Sequence, residues 1–249
     1  MTQALAYYPA DLHIHTVLSA CAEIEMIPPL IMRQAVRQGL KLIAVTDHNS
    51  VENARAMMEA GARVGVAVLP GMEVQTREEV HLLCLFDQLD RALAWQEQVY
   101  ERLPNMKNRE EVFGSQLVVD ADGEFIAFND RLLLTSTSYS VEDVFQEVER
   151  LQGIVVPAHV DRPAFGIISQ LGLIPAGLPV SAVEITSRLS VEQVQARFPQ
   201  LSRLTFLRDG DAHQLSEMQN RTMFKIMQPT VEELRLAFAG REGRKVIVD

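Results

Sequence analysis

Only two cysteines, Cys21 and Cys84, occur in 249 residues. Two thiols cannot build the disulfide framework of a small secreted domain, so a reducing compartment, the cytoplasm, is expected. Acidic residues outnumber Lys and Arg 33 to 23, which leaves a formal net charge of −10. No basic run interrupts that balance. This weighs against a dedicated polynucleotide-binding surface, which needs clustered cations to release phosphate counterions. A pocket for a short nucleotide stays open. No apolar stretch approaches the roughly 18 residues of a membrane span. Met1 to Ala10 lacks the basic start and apolar core of a signal peptide.

What is present is a globular composition, 47% hydrophobic and 22% charged, in a length that a single α/β barrel commonly fills. Short apolar runs alternate with helical segments. Strands are expected at Asp11–His15, Leu42–Thr46, Val66–Leu69, His81–Phe86, Gly153–Pro157, Ala182–Thr186, Leu204–Leu207, Met223–Met227 and Lys245–Val248. Helices are expected from Pro28 to Gly39, where proline suits the first turn and glycine the end, and from about Val51 to Ala62. Ser140 with Asp143, Ser190 with Gln193 and Thr230 with Glu233 place a capping hydroxyl three residues before a polar side chain, a helix-start signal. Strand-helix alternation with β-branched strands predicts a mainly parallel sheet, and seven or more units favour a barrel over an open sheet. The segment from Phe86 to Ser140 departs from this rhythm. It holds an amphipathic helix near Leu89–Leu103 and a hairpin, Gln116–Val119 and Glu124–Phe128, around the turn Asp120-Ala-Asp-Gly123. It reads as an insertion, either a lid or a surface decoration.

All six histidines, His13, His15, His48, His81, His159 and His213, fall in or just beyond such apolar runs. Strand ends on one face of an α/β barrel gather residues from across the sequence, so these imidazoles are expected to converge. His13 and His15 are two apart on a strand and point to one side. A lone histidine beside a strand is more often a hydrogen-bonded core residue. Six such placements, using every histidine, point instead to a metal site. Glu73 follows directly on the Val66–Leu69 strand, and Asp211 lies two residues before His213. Imidazoles with a bridging glutamate suit Zn, Mn or Fe rather than Mg alone. Asp47, beside His48, fits a helix cap, a supporting partner or a ligand.

Asp11-Leu-His-Ile-His-Thr16, Thr46-Asp-His-Asn49, Gly71-Met-Glu73, His81, His159 with Arg162, and Asp211-Ala-His213 resemble, in order, the motifs of the polymerase-and-histidinol-phosphatase (PHP) superfamily. The resemblance implies a distorted (β/α)7 TIM-like barrel spanning residues 1–249 as one domain, with an insertion at about 87–140. It implies two or three divalent metals and hydrolysis of phosphoesters. It groups His13, His15, Glu73 and Asp211 at one metal, and Glu73, His81 and His159 at a second. His48 and His213 fall at a third. Arg162 falls where the family has a phosphate-contacting arginine. One departure stands out: Ser19 is followed by Ala20, where the family usually carries an acid or histidine. Cys21 or Glu25 are the candidate replacements, and Cys84, inside an apolar strand, reads as core.

The expected substrate is a nucleotide, a short oligonucleotide or a small metabolite phosphate. Glu73 and Arg162 carry the catalytic roles, and Arg162 and Arg188 contact substrate. Two rivals stand beside this reading. Amidohydrolases also place His-x-His on barrel strands but cleave C–N bonds, and a metal-binding regulatory domain would have no turnover.

Overall fold

The computed structural model describes residues 4–249, so the first three residues of the stretch read for a leader lie outside it. Its strands in chain order are β1 (Ala6–Ile14), β2 (Leu42–Val45), β3 (Ala67–Gln75), β4 (His81–Leu85), β5 (Leu117–Val119), β6 (Phe125–Phe128), β7 (Ile154–Pro157), β8 (Ala182–Glu184), β9 (Thr205–Leu207), β10 (Thr222–Ile226) and β11 (Lys245–Val248). Seven of them form one curled sheet in the order β11-β10-β1-β2-β3-β4-β7, a half-barrel, while β5–β6 and β8–β9 form two-stranded ribbons.

The expectation of a mainly parallel sheet does not hold. β1–β2, β2–β3 and β8–β9 pair parallel, but β1–β10, β10–β11, β3–β4 and β4–β7 are antiparallel. The connection from Gln75 to His81 shows why. It is too short for a crossover helix, so β4 must fold back on β3 as a hairpin. The strand expected over Val66–Leu69 runs on to Gln75 to supply that pairing. Gly71 permits the close approach, since a Cβ there would lie 2.9 Å from Cys84 O and 2.8 Å from the Leu85 side chain.

The β8–β9 ribbon is stitched between the sheet's two flanks. Val160 N donates to Glu184 O, Ile185 N to Leu207 O, Ala212 N to His13 O and His15 N to Ala212 O, each at 2.9–3.0 Å. The stitches lie where the histidines are.

Two apolar clusters occupy the two faces of the sheet. One gathers Leu12, Leu42, Leu69, Leu83, Leu85, Val156, Ala182 and Leu207 with the helix α8 (Val231–Phe238). The other gathers Ile43, Met72, Leu82, Cys84, Val155 and Val183 with the helices outside, namely α1 (Pro28–Gln38), α2 (Ala54–Val64), α3 (Leu89–Arg102), α5 (Val141–Arg150) and α7 (Val191–Arg197). Between α3 and α5 lies the short α4 (Glu110–Phe113), and before α7 the short α6 (Ile167–Leu171). Alternation along each strand sorts residues between these clusters. Glu73 shares a face with Leu69, His81 with Leu83, and Glu184 with Ala182.

β1 needs an additional device. Leu12 belongs to the first cluster and Ile14 to the second, so strict alternation slips between them. The β1–β2 register shifts between Asp11 and Ile14, and a bulge of that kind re-aims side chains.

Helix-start signals are mostly reproduced. Ser140 with Asp143 and Ser190 with Gln193 form complete capping boxes. Thr230 caps α8, but the Glu233 carboxylate turns to Arg244 and Met227 N instead of closing the box. α1 begins at Pro28 and ends at Gly39, whose φ of 74° suits a residue without a Cβ. Among the described residues no helix is long and apolar enough to cross a membrane.

The segment from 87 to 140 packs α3 onto the core through Trp95 and Val99. Its hairpin and the stretch after it are tied to the site's loops: Leu117 N donates to Val17 O, and Asn49 Nδ2 to Leu133 O and Thr135 O. Phe125, Ile126 and Phe128 remain exposed.

Candidate metal centre

The bulge in β1 brings His13 and His15 together with their Nε2 atoms 3.1 Å apart. Each ring is oriented from behind. His13 Nδ1 donates to Glu184 Oε2 at 2.7 Å. Ser19 Oγ has one proton, which it gives to Asp47 Oδ1 at 2.7 Å; His15 Nδ1 therefore donates to Ser19 Oγ at 3.0 Å. Both Nε2 atoms then face inward as lone pairs. Two such lone pairs cannot hydrogen-bond each other, and a shared electrophile resolves the conflict. Asp47 also accepts from Thr16 N and Thr16 Oγ1, which makes it the clamp of the His15 loop and settles its ambiguity in favour of support.

Glu73 lies at the centre, 1% exposed. Its Oε1 is 2.8 Å from His81 Nδ1, 3.2 Å from His159 Nε2 and 3.3 Å from His13 Nε2. Its Oε2 is 3.0 Å from His48 Nδ1 and 3.4 Å from His15 Nε2, yet is buried without a hydrogen-bond partner. Asp211 Oδ1 lies 3.2 Å from both His13 Nε2 and His15 Nε2. Donor atoms close enough to share a cation occur in three groups: His13, His15, Glu73 and Asp211; His48, Glu73 and His81; and His15, His48 and His213. These groups hold seven of the eight residues singled out as ligands; His159 joins none of them, although its Nε2 lies 3.2 Å from Glu73 Oε1 in the same cluster. Its division differs slightly from expectation, because His48 stands between Glu73 and His213.

Two of the eight hold uncommon backbone, His159 at φ 31° and Asp211 at φ 45°. Left-handed geometry at a residue with a Cβ costs about 1–2 kcal/mol, and such strain gathers at functional sites. His159 Nδ1 is buried without a partner.

The charges interlock. Burial would raise the Glu73 carboxyl, but the imidazoles of His81, His13 and His48 outweigh it and hold it well below the usual carboxylate range. Burial likewise opposes the Asp211 carboxylate, and His13 and His15 bring it down. Burial and the neighbouring His213 and His48 push His15 well below the ordinary imidazole value. His48 is raised to about 10, because Glu73 and Cys21 overcome the effect of burial. Without a metal, burial opposes a proton on His13, but Glu184, Asp211 and Glu73 outweigh it and raise that imidazole well above its ordinary value. A compact set of imidazole nitrogens and anionic oxygens fits divalent metals, which would take the place of those protons.

A family model for the PHP domain matches residues 11–151. The chain belongs to the PHP domain family. The matched stretch carries His13, His15, His48, Glu73 and His81, and it runs through the 87–140 segment. His159, Asp211 and His213 lie beyond it. Among solved structures, the lesion-specific Endonuclease Q of Pyrococcus furiosus superposes with a TM-score of 0.73 at 19% identity, over 97% of this PHP chain and 58% of its own. A second structure of Endonuclease Q, in complex with a 27-mer duplex carrying an abasic lesion at the active site, matches with the same score. This chain therefore spans little more than half of that enzyme's length. A Bifidobacterium adolescentis protein described as a metal-dependent phosphoesterase matches with a TM-score of 0.56 at 18% identity, over 86% of this chain and 89% of its own. An amidohydrolase from Chromobacterium violaceum with bound sulfate gives 0.58 at 20%, over 85% and 90%. The Endonuclease Q duplex complex counts against the expectation of no polynucleotide surface, which was drawn from net charge alone, and average charge does not report a local surface.

Of the other residues singled out, Arg162 Nη1 lies 2.5 Å from Asp211 Oδ2, at the rim of the cluster. Asp161 accepts from Thr186 N and Thr186 Oγ1 and so pins the Arg162 loop to the end of β8. Arg188 shares a cleft of about 510 Å³ with Arg162, Arg197 and Phe198. Glu25 is exposed and joins no metal-capable group. Cys21 is exposed as a residue and, like Glu25, joins no metal-capable group, although His213 and His48 act on its thiol. Burial of that sulfur would raise the thiol; the two imidazoles bring it down to about 7. Cys84 is core, as expected, and burial pushes its thiol up.

Two functional neighbours escaped the sequence reading. Glu184 is a carboxylate in an apolar strand end, the same signal the histidines gave. Asp209 is buried beside Asp11 and Glu184, and burial together with those two acids raises it well above the carboxylate range.

Proposed function

We propose that this PHP chain is a metal-dependent hydrolase of phosphoesters, with Glu73 bridging two of its metals. The observation that carries the reading is the Glu73 carboxylate itself, whose two oxygens face imidazoles on both sides. His13, His15 and Asp211 would hold one metal with Glu73, and His81 and His159 a second. When bound, the metals supply an acidified water and positive charge against the phosphoryl oxygens.

The chain's own groups do the rest. Arg162, a third exposed at the rim, offers a planar fork that matches two phosphate oxygens. Its present partner, Asp211, has its other oxygen directed to the histidines, so the guanidinium is held at the cluster's edge. Arg188 and Arg197 extend positive charge along the adjoining cleft, away from the acidic remainder of the surface. Phe165 stacks on His81 with ring centroids 4.5 Å apart and walls the opposite side. The substrate class is a phosphate ester of a nucleotide, an oligonucleotide or a small metabolite. A polynucleotide enters as well, given the duplex bound by the structurally similar endonuclease. The whole of residues 1–249 is read as one distorted (β/α)7 barrel domain, with 87–140 as its insertion.

The test is elemental analysis of the purified chain, paired with cleavage assays on nucleotides, sugar phosphates, an abasic duplex and a cyclic amide. Two or more metals with cleavage of a phosphoester support the proposal. Hydrolysis confined to the cyclic amide, or a metal-loaded chain inert on all of them, sinks it.

A further inference from the structure

Arg188 and Arg197 line one cleft of about 510 Å³ together with Arg162. Among the described residues of that lining, Asp161 is the one carboxylate, and its two oxygens already accept from Thr186 N and Thr186 Oγ1. Three guanidiniums thus meet one engaged acid, in a chain whose acids outnumber Lys and Arg 33 to 23. Arg162 is paired with Asp211. Arg188 and Arg197 are exposed, and among the described residues no carboxylate stands within ion-pairing distance of either.

Local bonds fix these groups relative to one another. Asp161 immediately precedes Arg162, and Arg188 N donates to Thr186 Oγ1 at 3.3 Å. The Asp161–Thr186 bonds, 2.8 and 2.6 Å, therefore tie the Arg162 and Arg188 loops together. Behind them Arg208 Nη2 donates to Leu189 O at 2.7 Å, and Ser190 opens α7 with its capping box. Arg197 ends that helix with its guanidinium carbon 5.3 Å from the centre of the Phe198 ring. Such a contact steadies the planar fork without using its N–H donors. Like charges gathered in one cleft repel, and an anion between them removes that cost. Two forks offer more donors than a carboxylate can accept, whereas a phosphate brings three acceptor oxygens and close to two charges. Val160, Leu189 and Phe198 add apolar wall to the same cleft.

We propose that Arg188 and Arg197 hold a second phosphate of the substrate, remote from the bond that breaks, so that this chain selects nucleotides with two phosphates over monophosphates. The scissile phosphate lies with Arg162 at the histidine cluster, and the inference rests on that reading. The sugar or base between the two phosphates lies along the apolar walls. A nucleoside bisphosphate and a short strand both carry such a pair.

Steady-state cleavage by the purified chain is compared for AMP, adenosine 3′,5′-bisphosphate and a 5′-phosphorylated dinucleotide. At least one of the two-phosphate compounds should have a KM about 10-fold or more below that of AMP, the scale of one charge-assisted hydrogen bond. An advantage for the bisphosphate alone identifies a small nucleotide, and one for the dinucleotide alone a strand. The advantage should vanish when Arg188→Gln and Arg197→Gln are combined, and return in part when Arg188→Lys and Arg197→Lys are combined. Equal KM for all three compounds, or an advantage that survives both glutamines, overturns the proposal and leaves the hydrolase reading standing. If none of the three is cleaved, calorimetric titration of the same compounds into the same variants decides. An arginine-dependent preference then upholds the subsite while the hydrolase reading falls, and equal or absent binding overturns the subsite.

Discussion

His13 Nδ1 donates to Glu184 Oε2 across 2.7 Å, on the side of the ring away from Glu73. Both groups are buried, so this contact fixes the tautomer and aims Nε2 at the metal position. Partners of this kind are worth about 10–100-fold in metal affinity. Glu184→Gln, which keeps the shape and removes the charge, should weaken the tightest-bound metal by that factor in a chelator competition titration. Unchanged affinity means that Glu184 does not orient His13.

Glu73→Ala removes the one carboxylate that faces both halves of the cluster. The variant should lose at least one metal and fall by roughly 10²-fold or more in phosphoester cleavage. Metal content and turnover are measured on the same sample. Two retained metals with full activity would show that the bridging assignment is wrong.

Arg162→Ala should leave the metal content intact, because its contact to Asp211 is at the rim. It should lower kcat/KM by about 10²–10³-fold, the range for loss of one strong donor to developing charge. Arg162→Lys should recover part of the loss, since a point charge replaces the bidentate fork. Steady-state kinetics with paired metal analysis separates the two effects.

The pH profile of stability follows from His48 and Glu73. The His48 imidazole is raised from 6.5 to about 10 by Glu73 and Cys21 against the effect of burial. A raised imidazole contributes stability that is fully present below pH 6.5 and is lost as pH climbs through about 10. Chelated protein should therefore show a falling Tm over that window, by several degrees, since roughly 2–4 °C accompanies each kcal/mol in a domain of this size. Protein loaded with zinc should not lose stability there, because metal takes the deprotonated ring. Glu73, depressed below 4.5, works in the opposite sense: its contribution is present above pH 4.5 and is lost as pH falls towards the depressed value. A chelated chain whose Tm is flat from pH 6.5 to 10 contradicts the His48 part.

Local signals carried a good deal of this protein. Pro28, Gly39 and the hydroxyls of Ser140 and Ser190 mark helix ends through bonds made within a few residues, so the chain announces them directly. Thr230 shows the limit. Its partner Glu233 is drawn off by Arg244, eleven residues away, and no local rule sees that competitor. Strand direction was misread for the same reason, because apolar runs look alike in parallel and antiparallel sheets; the short Gln75–His81 connection was the clue that decided β4.

By itself, the sequence determined which residues could serve the site. Six histidines, Glu73 and Asp211 each sit at an apolar run, and that pattern follows from alternation along strands. Only the tertiary structure decided how they divide and what stands behind them. The slip between Leu12 and Ile14 turns both His13 and His15 inward, Glu184 arrives from a strand 171 residues later, and His48 stands between Glu73 and His213. Those outcomes depend on the relative placement of distant strand ends and loops. Spacing along a chain encodes which face a side chain occupies, but not which distant group it will meet.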